Sequence, residues 1–427
     1  MVRKFGAAGA LVALGRLTFM VFVVIAGRTV SATDFGLFMV ALVGSQMLAL
    51  ISSLGTGPSS QVVVSDAMAR KRPALAFGFV RFAFALTAGV SLAVGATLLF
   101  VSLALRQRGF IDPASDIMLP IALLLPPMAL STLRDFVAKA LGSNVLAFTP
   151  REVIWAGLMS VLLLKSSAVA AHVMPWAACT LLAVEVLAWS ILWRQYLAPI
   201  RGRQRNVSAF YPRWLKHSIA MLFNFIVGFS FERIDTFAVS AFTTLAVAGS
   251  YAAASRVAVI VSISQRFVVP VVLPRIVAAL SRRDVPAART EIRQGILISL
   301  LFALPVYLGI LLFAEPIMAI FGESFRPFGN VLRILATAHF SLAINGPLGA
   351  ALTGGASPFI YARFGWIALT ATALLLLTLT PLLGATGSAL AVMLGIGVQV
   401  FMVFNAVNKR FAVVRLPRFR AAGFGDM

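Results

Sequence analysis

Charged residues are scarce in this chain of 427 residues. Only 12% of the residues are charged, 60% are apolar, and the mean hydropathy is +0.96. A soluble globular domain needs a far more polar surface, so this composition excludes the soluble classes. Between the apolar runs, no stretch exceeds about twenty residues, which leaves no room for a folded soluble domain or a long lid. We therefore predict that any function is carried out within a membrane.

Cysteine and histidine are also nearly absent. The single cysteine, Cys179, lies in an apolar run, so the chain has no disulfide framework and no thiolate metal site. His172, His217 and His339 are scattered and have no second ligand one helical turn away, so we predict no metal site. No glycine-rich loop ending in Lys and Ser or Thr occurs. We expect no catalytic residues and no cofactor. The energy for any transport would come from an Na+ or H+ gradient or from removal of the substrate.

What the chain does have is a series of long apolar runs. Twelve of them are each long enough, or nearly so, to cross about 30 Å of hydrocarbon as a helix rising 1.5 Å per residue. We therefore predict an all-α polytopic membrane protein with about 12 transmembrane helices. The predicted spans are 7–27, 36–54, 81–104, 117–137, 153–168, 170–193, 218–242, 249–273, 296–321, 331–352, 359–383 and 388–408.

Basic residues mark one side of the predicted spans. Most Lys and Arg residues of the connecting segments fall on the side of the N-terminus, and such residues stay cytoplasmic. Both termini are therefore predicted to be cytoplasmic. The net charge of +22 reflects this bias and an attraction to anionic membrane lipids, and nucleic acid is not an expected partner. The first run contains Arg16, unlike the core of a signal peptide, so we expect a retained first helix.

A weak internal repeat divides the chain at half its length. The second and eighth spans both open with a glycine, an intervening residue, an aromatic residue and several small residues. The pattern predicts two pseudo-symmetric six-helix bundles, 1–200 and 217–427, joined by a basic cytoplasmic linker, 201–216. Parallel repeats of this kind place the substrate between the halves. The matching residues are Ala32, Gly36, Phe38 and Ala41 in the first half and Leu245, Gly249, Tyr251 and Ala254 in the second.

Positive charge inside the predicted spans is the main functional signal. Arg16 lies in the middle of the first span, and Arg256 and Arg266 lie in the eighth. A buried cation in lipid is costly and usually marks a pathway. At 100° per residue, the polar side chains of the eighth span share about a third of its circumference, which predicts a water-facing side. These residues are Tyr251, Ser255, Ser262, Gln265 and Arg266.

Asp235 and Arg256 are predicted to lie at a similar depth in neighbouring spans. They either form an ion pair that only locks the structure, or Asp235 positions Arg256 toward a ligand. The sequence leaves both alternatives open.

Arg16 and Arg266 have no acid at a comparable depth in their own hairpins. They either line a cavity that binds an anion, or snorkel or pair with a distant glutamate such as Glu185 or Glu232. A guanidinium group suits phosphate because its rigid fork donates two parallel hydrogen bonds. Arginines that face one cavity therefore indicate a substrate that carries a phosphate or pyrophosphate.

Several short motifs stand at spacings typical of one known family. They lie at 31–38 and 54–56 in the first half, and at 233–235, 248–254, Pro274, 321–325, 331–336 and 384–389 in the second. Together they touch most of the chain and resemble those of the polysaccharide flippases, O-antigen and exopolysaccharide (Wzx-type), of the MOP superfamily.

This resemblance implies a MOP-type fold, with two six-helix lobes in a V and a cationic cavity between them. Members of the family move an undecaprenyl-pyrophosphate-linked oligosaccharide from the cytoplasmic to the periplasmic leaflet of the bacterial inner membrane, beside other polysaccharide assembly proteins. The related lipid II flippase uses arginines on its first and eighth helices, where Arg16 and either Arg256 or Arg266 lie here. Its two further C-terminal helices have no counterpart in this sequence, which argues against lipid II as the cargo.

The predicted substrate site follows from these signals. Arg16 and Arg266 would hold the pyrophosphate, and Arg256, positioned by Asp235, would add a donor. The sugars would contact the polar face of the eighth span, at Tyr251, Ser255, Ser262 and Gln265.

Two other functions remain as alternatives. A MATE-like cation or drug antiporter would share the fold but needs buried acids, and the first half offers only Glu185 and the marginal Asp135 and Glu152. A membrane-embedded polysaccharide polymerase or glycosyltransferase would need paired acid and base residues on a large outer loop, and the outer loops here are short. The sequence thus favours a transporter over an enzyme.

Overall fold

A computed structural model describes residues 2–107, 113–201, 210–231, 233–282, 284–355 and 358–411. Within these ranges the chain forms α-helices joined by short turns, with no strand, so the all-α prediction is confirmed. The first half contains α1 Val2–Thr29, α2 Ala32–Ser52, α3 Thr56–Ala69, α4 Pro73–Gln107, α5 Pro113–Ala140, α6 Asn144–Thr149, α7 Ala156–Lys165, α8 Ser167–Ala171 and α9 Val173–Leu192. The second contains α10 Tyr211–Phe231, α11 Ile234–Phe242, α12 Leu245–Ala258, α13 Gln265–Ser281, α14 Val285–Ala319, α15 Gly329–Gly355 and α16 Pro358–Phe411.

The helices account for about twelve membrane crossings. Nine helical stretches of the described residues are long and apolar enough to span a bilayer. One of them, α16, has 54 residues, about 80 Å of helix, which is far too long for one crossing. The chain reverses at Gly384, whose φ of 57° suits glycine, and the Thr380 and Ser388 hydroxyls meet at 2.7 Å across the turn. With α16 counted as two crossings, α1 and the α10–α11 pair complete the predicted set.

The helices form two lobes. In the first lobe, α5 packs against α2, α3, α4 and α9, and in the second, α15 packs against α13, α14 and α16. The start of α10 leans on the first lobe, where the Trp214 ring lies 5.2 Å from that of Phe79. The domain bounds 1–200, 201–216 and 217–427 stay a prediction, because 202–209 in the linker lie outside the described residues.

The half-length repeat has a structural counterpart at the starts of α2 and α12. The Ser31 hydroxyl accepts a hydrogen bond from the Asp34 N–H at 3.1 Å, and the Thr244 hydroxyl accepts one from the Val247 N–H at 3.4 Å. Each is the N-cap of its helix and satisfies a backbone donor that the helix leaves unpaired. The two helices therefore begin at equivalent positions of the repeat.

The two lobes meet closely where α2 and α12 begin, through a contact between Gly36 and Gly249 that we call the glycine contact. A Cβ on Gly36 would lie 1.8 Å from the Leu245 carbonyl oxygen, and one on Gly249 would lie 2.6 Å from the Gly36 Cα. Beside it, the Phe35 and Phe325 rings pack edge to face at 5.4 Å. The lobes are thus closed at this end, and only glycine fits at their crossing.

Three predicted spans differ from the observed helices. The fifth, predicted as 153–168, begins at Asn144, because a π-helical turn, Pro150–Trp155, carries the helix through the charged pair Arg151 and Glu152. The seventh, predicted as continuous, is interrupted between α10 and α11. The eighth contains a 3₁₀ turn, Val259–Ser264, between α12 and α13. All three irregular segments lie near the candidate site.

Candidate functional site

A polar cavity of about 350 Å³ lies between the lobes, beyond the glycine contact. It reaches Gln46 and Leu50, near the end of α2 opposite to Gly36. Among its described lining residues, five are basic and two are acidic. The basic residues are Arg16, Lys139, Arg151, Arg233 and Arg256, and the acidic ones are Asp135 and Glu152.

Arg233 reaches this cavity because the seventh crossing is broken. It has φ −142° and ψ −26°, outside the helical region, immediately before α11 begins at Ile234. Irregular backbone within a membrane is tolerated only where protein or water meets the freed polar groups. The break therefore places a basic side chain at the inter-lobe cavity.

In the first lobe, the π-helical turn likewise directs charged side chains into the cavity. Pro150 has no N–H, so the Leu146 carbonyl loses its usual helical donor. The buried Arg134 replaces that donor with its guanidinium and also binds Glu185 through two bonds, at 2.7 and 3.0 Å. Arg134 thus supports the turn that directs Arg151 and Glu152 into the cavity.

Removal of this support is expected to destabilise the first lobe. Arg134→Met leaves the Glu185 carboxylate and the Leu146 carbonyl buried without their donor, which costs about 3–5 kcal/mol of stability. Thermal denaturation of the purified protein in detergent measures the loss. Arg134→Met combined with Glu185→Leu should recover part of it, and equal loss in both variants would contradict this role of the pair.

A chain of charges leads from Arg134 to the first helix. Asp135 lies 3.0 Å from Arg134 and 3.1 Å from Arg151. Glu152 lies 4.0 Å from Arg151 and 3.9 Å from Arg16. Both acids of the cavity are thereby held beside arginines, which makes them poor sites for a cationic ligand.

An apolar cleft of about 250 Å³ adjoins the polar cavity, between α1 and the segment that runs from α12 into the 3₁₀ turn. Arg16, Phe19, Arg233 and Arg256 border both spaces. The Arg256 guanidinium lies 5.6 Å from the centre of the Phe19 ring, within the range of a cation–π contact. The remaining walls of the cleft are mostly aliphatic, and Leu17 is 64% exposed. The arginines therefore stand where a polar space meets a lipid-facing one.

The structure brings together three of the predicted site residues. Arg16, Ser255 and Arg256 all line the apolar cleft, and the two arginines also line the polar cavity. Arg266 belongs to α13, but its side chain lies outside the described part of the structure.

The predicted ion pair between Asp235 and Arg256 is wrong for this conformation. Asp235 is 3% exposed and accepts hydrogen bonds from the Tyr251 hydroxyl at 2.8 Å and the Thr236 N–H at 2.7 Å. Tyr251 is fully buried, so it does not face the cavity. Tyr251 and Arg256 point about 140° apart around α12, so an acid that binds the first cannot reach the second.

The predicted polar face of the eighth span is not continuous. Ser262 lies 3.2 Å from the His339 ring, and Gln265 donates to the Leu342 carbonyl, so both contact α15. The reason is the 3₁₀ turn, which advances about 120° per residue instead of 100° and rotates the following residues by about a third of a turn. The predicted polar face requires one regular helix across this segment.

Tyr251 is consequently expected to act in stability and not in substrate contact. Tyr251→Phe removes the hydrogen bond to Asp235 and should lower stability by about 1–3 kcal/mol, while substrate affinity stays within twofold of wild type. Thermal denaturation and ligand titration of the same preparation separate the two effects. A loss of affinity with unchanged stability would restore the sugar-contact role.

Sequence reasoning missed Lys139, Arg151 and Arg233 as cavity residues. Lys139 and Arg151 fall in the connecting segment between predicted spans 117–137 and 153–168, which is on the side of the N-terminus, and both line the cavity. A usable signal was present at Pro150, which precedes an Arg-Glu pair inside an apolar run. No sequence pattern predicts the interruption of the seventh crossing beside Arg233.

Comparisons with known proteins bear on the fold. No protein-family model matches the chain. It is 27% identical over 175 residues to a curated protein of Haloferax volcanii described as a probable low-salt glycan biosynthesis flippase, Agl15. The match covers 41% of this chain and 37% of that protein, so the chain matches little more than a third of the relative.

Solved structures resemble the chain over nearly its whole length. An inward-facing multidrug resistance MATE family transporter of the MOP superfamily matches with a TM-score of 0.70, 15% identity, and coverage of 95% of this chain and 98% of that one. The lipid II flippase MurJ, inward closed, matches with a TM-score of 0.72, 12% identity, and coverage of 94% and 87%. A MATE transporter in the outward-facing conformation gives a TM-score of 0.52 at 15% identity, covering 94% and 95%. The protein is therefore a multi-pass membrane protein with the MOP-superfamily fold.

Proposed function

We propose that the protein is a flippase that moves a polyprenyl-pyrophosphate-linked oligosaccharide between membrane leaflets by alternating access. The observation that carries this proposal is the shared border of the two inter-lobe spaces. Arg16, Arg233 and Arg256 stand where the polar cavity joins the apolar cleft. A lipid-linked sugar has three parts in the same sequence: a polar glycan, an anionic linkage and an apolar tail.

The pyrophosphate is placed at these arginines. Their guanidinium groups remain charged when partly desolvated and donate paired hydrogen bonds to phosphate oxygens. The sugars extend into the polar cavity toward Gln46 and Thr132, and the polyprenyl chain follows the aliphatic cleft beside α1. Arg266 is proposed as a further donor and Ser255 as a contact beside the linkage.

The orientation comes from the distribution of basic residues, which keeps both termini in the cytoplasm. The glycine contact is then periplasmic, and the cavity lies in the cytoplasmic half. The likeness to structures described as inward-facing and inward closed supports this assignment. Release on the periplasmic side requires the glycine contact to open. We place the protein in the bacterial inner membrane, beside other polysaccharide assembly proteins, with an Na+ or H+ gradient as a driving force.

A binding measurement tests the substrate class. Purified protein is heated with a short-chain prenyl-pyrophosphate disaccharide, its dephosphorylated form, or the lipophilic cation tetraphenylphosphonium. At 100 times its dissociation constant, a bound ligand stabilises the native state by about 2.7 kcal/mol. We expect this stabilisation from the pyrophosphate alone, and its loss in Arg16→Gln. Stabilisation by the cation and not the pyrophosphate would replace the flippase with a MATE-like cation antiporter.

A further inference from the structure

A second lipid-facing space lies on the outer side of the first lobe. The buried Arg134 separates it from the inter-lobe cavity, between Glu185 of the one and Asp135 of the other. This second space is a groove of about 620 Å³ between α4, α5 and α9. Its walls are mostly apolar and aromatic, and two exposed arginines, Arg81 and Arg194, line it. The proposed flippase function uses none of these residues.

Two aromatic pairs flank the position of Arg81 in the groove. Phe77 packs on Trp193 at 5.4 Å, and Phe84 packs on Trp189 at 5.0 Å. Phe77, Arg81 and Phe84 lie about one turn apart on the same face of α4, so Arg81 lies between the two pairs along the groove. The tryptophans also show that α4 and α9 run antiparallel here.

Both arginines lie at the same end of the lobe. Arg81 follows the start of α4 at Pro73 by about two turns, and Arg194 follows the last residue of α9, Leu192. By the distribution of basic residues this is the cytoplasmic end. The arginines therefore lie near the headgroups of the cytoplasmic leaflet, with the aromatic part of the groove extending into the bilayer.

The groove retains its positive charge. Its described acidic residue, Glu185, is 1% exposed and binds Arg134 inside the lobe. The ion pairs formed among the described residues include neither Arg81 nor Arg194. A basic pocket between membrane helices at the cytoplasmic side is the arrangement that binds anionic lipid headgroups.

We propose that this groove is a specific site for an anionic phospholipid. The phosphate group binds between Arg81 and Arg194, and an acyl chain lies along the aromatic wall formed with Trp189 and Trp193. The charge at one end and the apolar wall along its length match the two parts of such a lipid, and the open side faces the bilayer that supplies it.

Native mass spectrometry of the detergent-solubilised protein tests the site with phosphatidylglycerol and phosphatidylethanolamine of matched chains. Wild type should bind the first lipid on the order of tenfold more tightly, since each surface arginine contributes a favourable interaction with an anionic headgroup. Arg81→Gln with Arg194→Gln should remove the preference. The matched control, Arg282→Gln with Arg363→Gln, changes two exposed arginines of the second lobe and should keep it.

A groove-filling variant tests the acyl-chain half of the site. Val186 lines the groove, is exposed and lies about two turns before Arg194, so Val186→Trp fills the aromatic part of the groove away from that arginine. It should weaken binding of both lipids. Equal retention of phosphatidylglycerol by wild type and the double arginine variant would overturn the proposal. So would the absence of any lipid preference in wild type, or displacement of phosphatidylglycerol by a polyprenyl phosphate at equal concentration.

Discussion

Arg256→Gln is expected to lower the initial rate of lipid-linked oligosaccharide transport by about tenfold to a hundredfold. Arg256 lines both the polar cavity and the apolar cleft, so its guanidinium lies at the proposed pyrophosphate position. Each hydrogen bond between charged groups contributes about 1.5–3 kcal/mol, and 1.4 kcal/mol corresponds to a factor of ten. The rate is measured in proteoliposomes with equal amounts of folded protein.

Two control variants sharpen this prediction. Arg256→Lys keeps the charge but loses the paired hydrogen bonds, so its rate should fall between those of wild type and Arg256→Gln. Arg282→Gln removes an exposed arginine outside both spaces and should transport at the wild-type rate. A wild-type rate in Arg256→Gln, with the protein folded, would contradict the placement of the anion.

Gly36→Ala is expected to open the glycine contact and stop the transport cycle. The added Cβ would lie 1.8 Å from the Leu245 carbonyl oxygen, and two helix backbones cannot yield as a flexible side chain can. Overpacking of this kind costs about 1–3 kcal/mol, enough to lower the population of the closed state by up to about a hundredfold. Because the contact joins two lobes, each lobe should stay folded.

Spin labels on cysteines that replace Thr33 and Ala241, in a Cys179→Ala background, report the separation of the lobes at this end. The distance between the labels should increase in Gly36→Ala. Gly89→Ala is the matched control, because nothing lies within 4 Å of a Cβ at Gly89. An unchanged distance and a wild-type transport rate in Gly36→Ala would show that this end does not have to close.

Much of the fold could be predicted because hydropathy reports it directly. A crossing needs a long apolar run, so the turn at Gly384 falls between predicted spans 359–383 and 388–408. The internal repeat could also be predicted, because the crossing of α2 and α12 requires glycine at both Gly36 and Gly249. These features depend on local composition or on one close contact.

The site was harder to predict because it depends on irregular backbone. The predicted polar face of the eighth span depends on a regular rotation of 100° per residue. The 3₁₀ turn Val259–Ser264 breaks that rotation and directs Gln265 toward α15. From the sequence, Arg151 lies in a connecting segment on the side of the N-terminus. The π-helical turn places its side chain in the cavity. Asp235 looked like a partner of Arg256, and it binds Tyr251 instead. Periodicity alone carries no information on such changes of phase.

The central claim is tested most directly by the transbilayer movement of a labelled polyprenyl-pyrophosphate oligosaccharide in proteoliposomes, with sodium and proton gradients applied or absent. We predict protein-dependent movement that is lost in Arg16→Gln and Arg256→Gln and retained in Arg282→Gln. No movement by folded wild-type protein under any gradient, together with gradient-driven transport of tetraphenylphosphonium, would contradict the account.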